Sequence, residues 1–176
     1  EGRKTTNPVA VGDKVEVDFD EKGEAFIKQI YPRKNYIIRK SVNLSKQAHI
    51  LASNVDQAIL IATLVSPRTS LGFIDRFLIA CEMYHLPAII VFNKADLYKE
   101  KEQLKFEEVK ETYEAIGYKV ILASVQNNLG VSEIKAVLQN KKTLLSGHSG
   151  VGKSTFINAI FPQLDLYLKK HRKFSR

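Results

Sequence analysis

The rhythm of apolar and polar positions changes near residue 50. Before it, apolar residues come in short runs broken by turn residues. Val15 and Val17 alternate with charged residues in VAVGDKVEVDF, Gly12-Asp13 and Lys22-Gly23 supply turns, and EAFIKQI and YIIRK follow. Strands this short, with no helical spacing between them, predict a small antiparallel barrel. After residue 50 the apolar runs lengthen and alternate with helical patterns. QAILIATLV (57–65), PAIIVF (87–92), YKVILAS (118–124) and KTLLSG (142–147) read as strands of a buried sheet. Between the first two, Leu71, Ile74, Leu78, Cys81 and Met83 share one side of a helix over 71–85. Leu104, Val109, Tyr113 and Ile116 mark another over 99–116, and shorter helices are predicted around 131–139 and 153–161. Four strand–helix alternations predict an open, mostly parallel α/β sheet with helices on both faces.

Composition narrows the class. The chain has 176 residues, 44% of them hydrophobic, which suits a globular protein and not a disordered tail or a coiled coil. No stretch approaches the roughly 18 apolar residues of a membrane span, and EGRKTTNPVAVGDK lacks the apolar core of a secretory signal. The single cysteine, Cys81, cannot build a disulfide framework or a Cys-rich zinc site, and suits a reducing cytosol. A cytoplasmic location is therefore expected, with no membrane partner.

The net charge of +8 is concentrated in two segments. Arg33, Lys34, Arg39, Lys40 and Lys46 fall within 31–50, and Lys169, Lys170, Arg172, Lys173 and Arg176 within 166–176, with no acidic residue in either. The remaining 17 basic residues face 19 acidic ones. Concentrated positive charge is the footprint of polyanion binding, because each neutralised phosphate releases counterions. Its alternative is a solvated face that keeps the chain soluble.

Three motifs carry the chemistry. Gly147-His148-Ser149-Gly150-Val151-Gly152-Lys153-Ser154 matches the phosphate-binding loop GxxxxGK[ST], between a predicted strand and the helix expected from about 153, with Thr155 also expected to bind the nucleotide. A glycine-rich turn there aims successive N–H groups at a phosphate, Lys153 reaches the β- and γ-phosphates, and the Ser154 hydroxyl ligates Mg2+. Asn93-Lys94-Ala95-Asp96 follows the strand 87–92. A carboxylate at Asp96 accepts from both N1–H and N2–H₂ of guanine, donors that adenine lacks, and a wrong base leaves it unpaired. Ala123-Ser124-Val125 ends the strand 118–124. Ligands of open α/β sheets lie outside the carboxyl ends of the strands, so the three loops converge on one nucleotide, GTP or GDP. The base-reading motif precedes the phosphate loop, an order that implies a circularly permuted GTPase.

With VGDKVEV, YPRKN, DRFLIACE, VFNKADL and LLSGHSGVGKSTFINAIF, the chain resembles the ribosome small subunit-dependent GTPase A family (RsgA, also called YjeQ or EngC) from residue 8 to about 162. The resemblance implies an α/β P-loop GTPase domain, circularly permuted, preceded by a small all-β OB-fold barrel, and a zinc-binding C-terminal domain. It further implies a monomer that hydrolyses GTP late in assembly of the small (30S) ribosomal subunit, stimulated by that subunit. On this basis residues 1–50 are expected to form a partial, RNA-binding OB-fold and residues 51–176 the GTPase domain. OB-folds bind RNA through a positive groove with stacking aromatics, which Tyr31, Arg33, Lys34, Tyr36, Arg39 and Lys40 supply; half-buried tyrosines and solvated charges are the alternative. His148 is expected to be a variable loop position.

The chain also departs from the family pattern. Only 22 residues follow Ser154, no switch threonine or DxxG is found, and Asp165-Leu166-Tyr167-Leu168 lacks the glycine. No zinc ligands are present, and the barrel lacks its first strand. The GTPase domain is thus expected to be incomplete on its C-terminal side, and the basic stretch 166–176 carries no reading. An RNA-binding module with an inactive nucleotide site remains the alternative, and an ATPase or kinase conflicts with Asp96.

Overall fold

The computed structural model describes residues 8–40 and 48–164. The second basic stretch, Lys46 and Asp165 lie outside these, as do the side chains of Arg39 and Lys40.

The core is a four-stranded parallel sheet in the order β7-β6-β5-β8, formed by β5 (Gln57–Ala62), β6 (Ala88–Phe92), β7 (Lys119–Leu122) and β8 (Thr143–Ser146). Alternate strand residues feed opposite layers. Ile59, Ile61, Ile89, Val91 and Ile121 face α3 (Val131–Leu138) and α4 (Lys153–Ile160). Leu60, Ala62, Ile90, Phe92 and Val120 face α1 (Leu71–Met83) and α2 (Glu100–Ala115). Strand order explains the split. Steps from β5 to β6 to β7 run in one direction, the step from β7 to β8 runs back, and right-handed crossovers in opposite directions put their helices on opposite faces. The reversal leaves a crevice at the carboxyl ends of β5 and β8, the place where such sheets bind ligands.

The helices bury narrower stripes than the sequence pattern predicts. In α1, Ile74, Leu78 and Cys81 are buried, whereas Leu71 and Met83 are exposed, Met83 at 70%. In α2 the buried stripe is Phe106, Val109 and Tyr113, while Leu104 and Ile116 stand in solvent. Each observed stripe keeps i, i+3/i+4, i+7 spacing; Met83 lies two residues from Cys81 and Leu104 five from Val109, spacings that rotate both off the face. Tyr113 ties the two helices by donating to Asp75 Oδ1 at 2.7 Å.

Two antiparallel hairpins precede the sheet: β1 (Val15–Phe19) with β2 (Ala25–Ile30), and β3 (Tyr36–Lys40) with β4 (Ala48–Ser53). Three of these strands match the sequence reading; β4, with only Ile50 and Leu51 as large apolar residues, does not stand out in the pattern. β4 runs across residue 50, and Ile37 and Ala52 of the second hairpin share a small core with Ala58, Cys81 and Leu86 of the α/β part. The first hairpin has little core, with Val17, Phe19, Phe26 and Ile27 exposed.

Polar contacts join the hairpins. Asp13, with its side chain 1% exposed, takes Arg33 Nε at 2.6 Å and Nη2 at 2.7 Å, as well as the Ser53 hydroxyl and the Ala10 N–H. Gly12 sits at φ +94°, where a Cβ would lie 2.1 Å from the Ser53 carbonyl oxygen, so the turn before β1 lies directly on the end of β4. The Arg33 guanidinium, supported by the Ser53 hydroxyl, holds the Asp13 carboxyl well below the usual carboxylate range. A depressed folded-state pKa contributes stability that is complete above the unfolded value and is lost as pH falls toward the folded one.

Arg33→Ala, which strands a buried carboxylate, should therefore cost about 3 kcal/mol in urea unfolding at neutral pH. Wild-type stability should decline as pH falls below about 4, and Asp13→Asn should remove that part of the decline. An unchanged unfolding midpoint in Arg33→Ala would show that the pair holds nothing together.

Candidate functional site

Ladder hydrogen bonds continue past the strand ends and carry the predicted motifs together. Asn93 N–H donates to the Ala62 carbonyl, Ala123 N–H to Phe92, and Ala95 N–H to Ala123. The turn Asn93–Asp96 is thereby held between the ends of β5 and β7. Lys94 adopts φ +66°, and Asp96 lies in a single 3₁₀ turn, Ala95–Leu97. The fully buried Ser124 donates its hydroxyl to Asp96 Oδ1, fixing the carboxylate from the neighbouring loop. Ser124 is itself locked by reciprocal backbone bonds with Leu129, and Val125 packs at the edge of the core below it.

The phosphate loop leaves β8 and doubles back over β5. Gly147, at φ +145°, approaches so closely that a Cβ would lie 2.3 Å from the Ile61 carbonyl oxygen. At Gly152, φ +97°, a Cβ would lie 2.6 Å from Asn93 Nδ2. Between them Val151 is fully buried, and His148 and Ser149 are exposed. Asn93 Nδ2 donates to the Val151 carbonyl at 2.9 Å, joining the turn after β6 to the phosphate loop. Its Oδ1 is buried and has no hydrogen-bond partner among the described residues. Lys153 opens α4, and its Nζ donates to the Gly147 and His148 carbonyls at 2.8 and 2.6 Å. Burial pulls the Lys153 pKa below that of a free lysine. Ser154 and Thr155 follow in the first turn of α4, where helix N–H groups lack intrahelical partners and favour an anion.

Residues that the motifs do not contain complete the crevice. The loop from Thr63 to Ser70 is closed by Thr69 N–H donating to the Thr63 carbonyl at 2.7 Å and by the Thr63 hydroxyl bonding the Pro67 carbonyl. It touches both motifs: Lys94 Nζ donates to the Ser66 carbonyl, and Pro67 lies beside Gly150. Tyr98, its pKa pushed up to about 12 by burial, bridges Leu64 N–H and the Asn93 carbonyl at 3.4 Å each. Phe73 of α1 stacks on His148, ring centroids 3.9 Å apart and tilted by 33°. Ser66-Pro67 marks a turn in the sequence, but nothing there says what the turn touches.

A family model for the RsgA GTPase matches residues 30–175. The chain belongs to the RsgA GTPase family. It is 51% identical over 165 residues to the small ribosomal subunit biogenesis GTPase RsgA of Phocaeicola vulgatus, covering 94% of this chain and 53% of the relative. Its identity to the RsgA of Cytophaga hutchinsonii is 52% over 157 residues, 88% of this chain and 51% of that one. Among solved structures it resembles YjeQ from Thermotoga maritima (TM-score 0.74, 37% identity, 92% of this chain and 53% of that one). It also resembles the circularly permuted GTPase YloQ (TM-score 0.67, 33% identity, 92% and 53%). The chain spans about half the length of the RsgA relatives it matches. The permuted P-loop fold is thus that of its relatives, with the antiparallel hairpins in the position of the OB-like part.

The residues expected to touch RNA divide. Arg33 is committed to Asp13 and serves as a structural brace. Lys34 is exposed, its Nζ 3.9 Å from Asp56, and Tyr31, three residues earlier, is exposed too. Tyr36 is also exposed, its ring 5.7 Å from that of Tyr84. Arg39 and Lys40 lie on β3 opposite His49 and Ala48.

The close approach at Gly147 gives a stability test. Gly147→Ala forces a side chain against backbone at positive φ and should lower stability by about 1–3 kcal/mol. Gly72→Ala, where a Cβ meets only the Arg76 tip at 3.4 Å within a helix, should stabilise by about 0.5–1 kcal/mol. Thermal unfolding distinguishes them; equal effects would remove the steric argument.

Proposed function

We propose that this chain binds GTP and GDP and supplies the base- and phosphate-reading half of a GTPase acting in late maturation of the small ribosomal subunit. One observation carries the reading: a guanine-selecting turn and a phosphate loop are hydrogen-bonded to each other, through Asn93 and Val151, at the switch point of a parallel sheet. The fit to a nucleotide is supported by the glycines at 147 and 152, whose missing Cβ atoms let the loop lie against Ile61 and Asn93 at the crevice, and by the unpartnered Asn93 Oδ1. Asp96, oriented by Ser124, reads the guanine, with Asn93, Lys94 and Ala95 forming its turn and Ser124 and Val125 flanking it. The loop from Gly147 to Gly152 and the first turn of α4 through Thr155 bind the phosphates.

Lys153 and Ser154 are the residues assigned to the reaction. Lys153, held at the Gly147 and His148 carbonyls, would neutralise the β- and γ-phosphates, and the Ser154 hydroxyl would hold Mg2+. Bound there, the metal ion would offset charge between the phosphates. The relatives' names support a small-subunit partner. Exposed Lys34 and Tyr36, with Arg39 and Lys40 on the same strand, are proposed to contact rRNA from an OB-like part over residues 1–50, ahead of the GTPase part over 51–176. The zinc implied by the sequence resemblance concerns a further domain. The protein is proposed to act as a cytoplasmic monomer.

A labelled GDP bound to the chain should be displaced by GTP or GDP and not by ATP; equal displacement by ATP would sink the reading. Lys153→Ala should weaken nucleotide binding about 10- to 100-fold, the worth of a hydrogen bond to a charged group. In the full-length protein, stimulation of GTP turnover by small subunits should vanish with the same change.

A further inference from the structure

The phosphate loop is anchored to the sheet at its two ends and is otherwise open to solvent. Gly147 lies against Ile61, and Val151 and Gly152 lie against Asn93. Under the proposed reading, N–H groups of the exposed stretch between them would face the phosphates of a bound nucleotide, so its conformation matters for binding. Two contacts from the loop and helix after β5 reach that stretch: Pro67 beside Gly150, and the Phe73 ring on His148. Phe73 is half-buried and packs against the core layer of α1 and α2, so it is a fixed platform rather than a solvent-swept side chain. His148 joins the contact to the reaction machinery, because its carbonyl accepts from Lys153 Nζ at 2.6 Å.

We infer that Phe73 and His148 are positioning residues, a ring stack through which α1 holds the phosphate loop in its anion-binding conformation. The inference rests on the guanine nucleotide reading above. It assigns His148 a function beyond filling a variable position, and it brings α1, which contains none of the nucleotide motifs, into phosphate recognition. A loop held in shape before the ligand arrives loses less freedom on binding, so the stack acts on affinity without touching the nucleotide.

A double-mutant cycle on the affinities of fluorescently labelled GDP and GTP tests this. Phe73→Leu and His148→Ala should each weaken binding by about 2- to 10-fold, the range expected from one aromatic pair. The double variant should be no weaker than the poorer single variant, and Phe73→Tyr, which keeps the ring, should bind like wild type. Effects that multiply in the double variant, or a Phe73→Tyr as weak as Phe73→Leu, would overturn the inference. His148 is exposed, so His148→Ala gives an answer even if Phe73→Leu unfolds the protein: wild-type affinity in that variant also overturns it. Failure of the unsubstituted chain to bind guanine nucleotide would instead overturn the functional reading, which separates the two.

Discussion

Everything at the candidate site depends on how closely the phosphate loop can approach the end of β5. The loop begins on β8, and only a residue without a side chain fits where Gly147 passes the Ile61 carbonyl. That approach puts the loop over the crevice, where the strand order reverses, and within reach of the turn after β6. A Cβ at this point would lift the loop off the sheet and pull Val151, a fully buried side chain, out of the core layer beneath α3 and α4.

From this point the constraints propagate through hydrogen bonds rather than through apolar packing. Asn93 fastens the Asn93–Asp96 turn to the phosphate loop, and Ser124 fastens Asp96 to the loop after β7. Lys94 and Tyr98 then secure the loop after β5. Four loops from four adjacent strands are thereby cross-linked on one edge of the sheet. Where it is buried, as at Asn93, such a network is stiff because a polar group freed there costs more than its bond contributes. The buried Asn93 Oδ1 is the exception, a polar atom left available where the nucleotide is proposed to lie.

The N-terminal hairpins follow a different economy of forces. They have few buried apolar residues, and the Asp13–Arg33 pair with Ser53 and Ala10 gathers the turn before β1, the segment after β2 and the end of β4. This explains why a basic stretch that suggests an RNA-binding surface does not have all its charges free for one. An arginine in a charge run can be solvated, can meet a phosphate or can neutralise a buried carboxylate, and spacing along the chain does not distinguish these. Arg33 takes the third course because Asp13, twenty residues earlier, is folded onto the same strand end.

Much was legible in the sequence because it is local. Runs such as QAILIATLV and PAIIVF announce strands buried on both faces, and GHSGVGKS announces a phosphate loop, since glycine spacing and a terminal lysine are requirements of backbone geometry and charge. The order of Asn93–Asp96 before Gly147–Ser154 was enough to imply the permutation. What tertiary structure alone decided is the set of contacts between segments remote in the chain. These are the strand order β7-β6-β5-β8, the pairing of weakly patterned β4 with β3, the commitment of Arg33 to Asp13, and the stacking of Phe73 on His148. The helix stripes fall between the two: spacing identified Ile74, Leu78, Val109 and Tyr113, while packing against the sheet buried only a narrow stripe and left Met83 and Leu104 in solvent. Periodicity is a property of one element, whereas burial and partnership belong to two.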